Sequence, residues 1–169
     1  MQIDKEPEPD PNFERYFLHQ VEEAARALFS LLDPGTEPCA RLAEDLRGKS
    51  AGVVGFFGPR VRGSISVAIA GGDSDPLRED RANELANQLT GRVKNRLWRV
   101  GVAYEIAPPV TLRGRQISIT SRENESRFCF KGPIHTYSVH AALDVFAEVG
   151  MKPVAPDETP LDEGDLLLF

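Results

Sequence analysis

The sequence predicts an α+β domain: an antiparallel sheet with two main helices packed on one face. Three observations carry that expectation. A helical apolar period covers residues 12–32, and a second covers about 76–99. Apolar residues with strand spacing fill 51–57, 61–69 and 135–145. Helices gathered on one side of antiparallel strands make an α+β layout. At 169 residues the chain suits one domain with a real core, and 41% hydrophobic with 27% charged residues is ordinary for a soluble globular protein.

Residues 1–11, with Glu-Pro-Glu-Pro-Asp-Pro, read as an acidic, Pro-rich lead in extended or disordered form. The first helix places Phe13, Phe17, Val21, Ala24, Ala25, Leu28, Leu31 and Leu32 at helical spacing, and Asp33-Pro34-Gly35 stops it. Residues 34–49 read as loop, with one short turn at 40–46. The apolar run 51–57 breaks at Gly58-Pro59. Val61, Gly63, Ile65, Val67 and Ile69 then alternate with Arg62, Ser64 and Ser66, which makes a hairpin.

Gly71-Gly72 ends the hairpin, and Asp75-Pro76 supplies an N-cap and a proline at the first helical position. The central helix follows, from about 76 to 99. After residues 102–106 and Pro108-Pro109 come a short strand at 116–120 and another at 126–131. Tyr137, Val139, Ala141, Leu143 and Val145 alternate strictly, so 135–145 is one long strand rather than a helix. The expected domain is therefore 12–146, followed by an acidic, Pro-rich tail at 147–169 that ends in apolar Leu166-Leu167-Leu168-Phe169.

Composition excludes several classes. A net charge of -6 argues against a nucleic-acid binder, which carries a basic face. Arg92, Lys94, Arg96 and Arg99 sit at the end of a helix, where cations suit the macrodipole. Cys39 and Cys129 are far apart and lack CxxC or Cys/His spacing, which predicts neither a zinc site nor a disulfide framework. The acidic N-terminus is unlike a signal peptide, and no apolar run approaches the ~20 residues that span a bilayer. The expectation is a cytoplasmic protein with no membrane partner. His19, His135 and His140 share no ligand spacing, and Phe56, Phe57 and Trp98 read as core.

The most informative stretch is Asp80-Arg-Ala-Asn-Glu84-Leu-Ala-Asn87, early in the central helix. At roughly 100° per residue, Asp80, Glu84, Asn87 and Gly91 fall in one solvent-side stripe. Ala82, Leu85, Leu89, Val93 and Leu97 gather on the opposite side. A bland account covers part of this, because acids near a helix N-terminus suit the dipole. Asn87 fits that account less well, since asparagine is a mediocre residue in a helix interior. Asn83 and Asn95 share the helix, however, and Gln88 is a second amide close to the stripe.

Asp80, Glu84 and Asn87, with Pro108-Pro109 some twenty residues on, resemble the motif of the CheC/CheX/FliY family of chemotaxis phosphatases. The preceding Gly63-Ser64-Ile65-Ser66-Val67-Ala68-Ile69 and the following Val110-Thr111-Leu112-Arg113-Gly114 are similar to the family's flanking strands. The resemblance covers roughly residues 50–146. It is closest to the single-motif CheX branch, because the first helix carries Glu22 and Glu23 but Ala25 and Arg26 where a second motif needs its amide.

The resemblance implies hydrolysis of the aspartyl phosphate on a CheY-like response regulator. Glu84 and Asn87 would be the catalytic pair, with Asp80 and Gly91 as partner-binding residues. Asn87 would orient the attacking water and Glu84 would bridge to the regulator's lysine. The chain would hold no cofactor of its own, Mg²⁺ belonging to the receiver domain, and it would form a homodimer through its sheet edges. The competing expectation is a non-catalytic receiver-docking or scaffold module with the same fold.

Overall fold

The computed structural model describes residues 11–39, 50–71, 78–113 and 125–152. The lead over 1–10, the expected turn at 40–46, the Asp75-Pro76 cap, the 116–120 strand and the apolar C-terminal end lie outside them. The elements are α1 (Pro11–Leu32), β1 (Glu37–Pro38), β2 (Ser50–Phe57), β3 (Val61–Ala70), α2 (Arg78–Trp98), β4 (Glu105–Ile106), β5 (Val110–Arg113), β6 (Glu125–Lys131) and β7 (Thr136–Val145). The sheet is antiparallel in the order β1-β6-β7-β3-β2, with β4 and β5 both against the outer side of β2.

Strand alternation decides which residues meet the helices. Val54, Ile65, Val67, Ile69, Tyr137, Val139, Ala141 and Leu143 are buried, and the pairings Val54↔Ile65↔Ala141 and Ile69↔Tyr137 put them on one face. Helix α2 lies over β2, β3 and β5, α1 lies over β6 and β7, and the two helices pack on each other. Aromatic side chains join the layers. Phe17 of α1 meets Phe56 at 5.6 Å, and Phe29 stacks on Tyr137 at 4.3 Å. Val149 is also buried in this core, and the Lys152 amide donates to Val100 O, so packing continues past β7.

Asp33 ends α1 and fixes where it ends. Its amide donates to Phe29 O, and the chain reverses through Gly35 at φ 94, a conformation that favours glycine. The Asp33 carboxylate is buried and accepts from the amides of Ile134 and His135, both at 3.2 Å. One side chain thus ties the end of α1 to the β6–β7 turn.

Five expectations need correction, the first being Trp98, which is half-buried rather than core. Leu31 and Leu32 are exposed, at 71% and 40%. Phe29 meets Phe130 of β6 and Tyr137 of β7 and takes the last core position of α1, leaving Leu31 and Leu32 at the exposed helix end. Phe57 is exposed because its neighbour Phe56 takes the helix-facing position and successive strand residues point to opposite faces. The loop expected after α1 contains β1, a two-residue strand paired to β6. Finally, Cys39 and Cys129 form a disulfide. The β1–β6 register carries on from Pro38↔Phe130 to place the two cysteines opposite each other, 5.3 Å apart at Cα.

Candidate functional site

Helix α2 separates its two faces as the wheel requires. Ala82, Leu85, Ala86, Leu89, Val93 and Leu97 are all buried. Asp80, Glu84 and Asn87 are exposed along the opposite stripe, whereas Gly91 is half-buried. From Asp80 to Asn87 the stripe is about 10 Å long at the helical rise. Glu84 and Asn87, three residues apart, are neighbours on the helix surface.

The flanks of α2 are tethered, and sequence reasoning missed these contacts. On one side the Asn83 amide bonds the Thr111 hydroxyl of β5. On the other, Arg81 Nη1 lies 3.5 Å from His135 Nε2, and Arg96 Nη1 donates to Gln20 Oε1 of α1 at 3.3 Å. At the edge of the stripe, Gln88 Nε2 donates to Glu84 Oε1 at 2.7 Å. The i, i+4 spacing of Glu84 and Gln88 was the one signal in the sequence for that bond.

A carboxylate restrained on one oxygen can accept from a cation at the other. A carboxamide both donates and accepts and does not titrate, so Asn87 can hold a water in a chosen orientation. The stripe, made of Asp80, Glu84, Asn87 and Gly91, holds no Ser, Thr, Cys, His or Lys. Among the described residues, no group of three His, Cys, Asp or Glu is placed to hold a metal ion. The histidines do not converge on the stripe: His19 is exposed on α1, His140 is buried on the far face of the sheet, and His135 sits beside Arg81. Burial, then the nearby Arg127 charge, pushes the His140 pKa down to about 4.

Pro108 and Pro109 are exposed and lead directly into β5. The Ala107 amide donates to Gly55 O at 2.9 Å, and Val110 then pairs with Val53. The prolines occupy the short break between β4 and β5, where missing amide donors cost no ladder bond. Their position serves the sheet edge rather than the stripe.

No family model matches the sequence, and no curated protein matches it. Solved structures do match. The chemotaxis protein CheX from Vibrio vulnificus superposes with a TM-score of 0.64 at 19% identity, over 76% of this chain and 99% of that one. A CheC-like superfamily protein from Shewanella sp. PV-4 gives 0.61 at 18%, over 76% and 97%. CheX in a CheX–CheY–BeF₃–Mg²⁺ complex from Borrelia burgdorferi gives 0.57 at 17%, over 75% and 97%. Among the described residues, two helices lie on an open antiparallel sheet, and the match over nearly the whole length of these proteins gives the chain the fold of the CheX and CheC-like chemotaxis proteins.

Proposed function

We propose that the protein is a phosphatase for the aspartyl phosphate of a CheY-like response regulator, inserting Glu84 and Asn87 of α2 into the regulator's active site. The observation that carries this reading is the outward display of that pair on a helix whose opposite face is buried and whose flanks meet Thr111 and His135, in a fold matching a CheX bound to CheY. The BeF₃ and Mg²⁺ in the Borrelia complex fit a partner that brings its own metal and a phosphoryl group or its mimic.

The chemistry asked of this chain is positioning. An acyl phosphate already bound to Mg²⁺ needs an in-line water, and orienting that water is the missing catalytic contribution. Asn87 holds the water. The water oxygen attacks phosphorus, the bond to the aspartyl oxygen breaks, and the products are the free carboxylate and inorganic phosphate, which carries away the water's protons, one of them released to solvent as the phosphate ionises. Glu84 pairs with a cationic side chain on the regulator and sets the helix in register, while Asp80 and Gly91 contact the rim. No general base from this chain is needed. The reading places the reaction in the cytoplasm and carries a homodimer joined through sheet edges, which also covers exposed strand edges.

The test follows loss of phosphate from a phosphorylated receiver domain with Mg²⁺ present. Wild type should accelerate it, and Asn87→Ala should lose roughly tenfold or more of that acceleration while still binding. Binding without acceleration in the wild type overturns the phosphatase and leaves a docking module.

A further inference from the structure

Glycine 52 lies in β2 directly beneath the motif helix. A Cβ at this position would stand 2.6 Å from the Ala82 carbonyl carbon and from Asn83 Cα, and closer still to the Ala82 oxygen. All three atoms are helix backbone, so no side-chain rotation relieves the clash. The contact falls between Asp80 and Glu84, one residue before the glutamate. Beside it, the Asn83 amide bonds Thr111, and Thr111 is the cross-strand partner of Gly52. The glycine and the threonine therefore form one seat, the first setting the height of α2 above the sheet and the second its roll.

We infer that Gly52 and Thr111 are positioning residues that hold Glu84 and Asn87 at the depth and angle needed for insertion into a partner's site. The inference rests on the reading of that pair given above. Any side chain at position 52 must lift the start of α2 by about 1 Å, and a misplacement of that size can cost roughly 100-fold where catalysis is positioning. Strand β2 also contains its own control. A Cβ at Gly55 meets only Ala107 Cβ at 3.8 Å and Gly63 O at 3.9 Å, which is ordinary contact. Gly52→Ala and Gly55→Ala change the chain entropy alike and differ in what the methyl strikes.

The experiment compares wild type, Gly52→Ala, Gly55→Ala, Thr111→Val and Thr111→Ser in the phosphorylated-receiver assay, separating kcat from KM. Gly52→Ala should lose about tenfold or more in kcat, with KM for the receiver changed less. Gly55→Ala should stay within about twofold. Thr111→Val should lose roughly threefold in kcat, and Thr111→Ser, which keeps the hydroxyl, should restore it. If Gly52→Ala does not fold, the threonine pair decides by the same criterion. Wild-type kcat in folded Gly52→Ala, or equal values for Thr111→Val and Thr111→Ser, overturns the inference.

Amide hydrogen exchange along α2 tests the seat without a partner. Gly52→Ala should speed exchange over residues 82–89 by roughly tenfold or more relative to Gly55→Ala. Inactive wild type with that difference intact overturns the phosphatase and keeps the seat, whereas active wild type without it overturns the seat alone.

Discussion

Reduction of Cys39–Cys129 should cost this fold a large share of its stability. The bond closes a loop of 90 residues in sequence. In the chain-entropy account, a loop of that length restricts the unfolded ensemble by about 4–5 kcal/mol. The folded state loses little directly, because the Cys39 amide still donates to Cys129 O at 2.8 Å and Asp33 still ties the end of α1 to the β6–β7 turn. For a chain of this size, each kcal/mol moves the melting midpoint by roughly 2–4 °C, so reduction should lower it by about 10 °C or more. The assay is thermal melting of the purified oxidised protein with and without dithiothreitol, beside the Cys39→Ser/Cys129→Ser double variant. Wild type should fall on reduction to near the variant, and the variant should not respond. Two reactive thiols per chain without reductant, or a midpoint indifferent to reductant, refutes the reasoning. In a reducing compartment the same pair stands as thiols, and the fold depends on its core and the Asp33 tether.

The tether and the buried histidine make two further predictions. Asp33→Ala leaves the part-buried Ile134 and His135 amides without their acceptor, and should lower unfolding stability in urea by about 1–2 kcal/mol. Asp33→Asn retains one oxygen and should lose less; equal losses would argue against the hydrogen bonds. His140 faces Ser66 on β3 and Arg127 on β6 and stays neutral in the fold down to about pH 4. The unfolded chain takes up the proton near pH 6.5, so this histidine's contribution is constant above that and lowers stability as pH drops toward 4, by about 1–2 kcal/mol after allowing for solvent screening. Urea midpoints measured at pH 7.5 and 4.5 should converge in His140→Gln relative to wild type; an unchanged difference assigns the acid response elsewhere.

Periodicity made most of the fold readable in the sequence. Strict alternation from Tyr137 to Val145 separated a strand from a helix, and the spacing of Ala82, Leu85, Leu89 and Val93 identified the buried side of α2. The same signals fail where an element ends or where two distant segments meet. Leu31 and Leu32 continue the period of α1, yet nothing local says that its core contacts end with Phe29. Strand β1 has two residues, one of them proline, so it shows no alternation to find. The cysteine pairing depends on a register between β1 and β6 that only the assembled sheet supplies. Gly52 reads locally as a weak spot in a strand, and its meaning appears only when a helix backbone is found against it.

The two kinds of residue on α2 have a physical relation. A helix held only by an apolar face can roll on it, because hydrophobic contact is non-directional. A roll of about 10° moves an outward side-chain tip by about 1 Å, enough to spoil an in-line attack. Directional contacts on the flanks remove that freedom: Asn83 to Thr111 on one side, Arg96 to Gln20 and Arg81 beside His135 on the other. Gln88 does the same for the Glu84 carboxylate within the stripe. Docking alone loses only affinity to a loose helix, because ordering it on binding costs free energy. The phosphatase proposed above would lose rate as well, since it would contribute geometry to a partner's chemistry, and the contacts on both flanks of α2 suit that contribution.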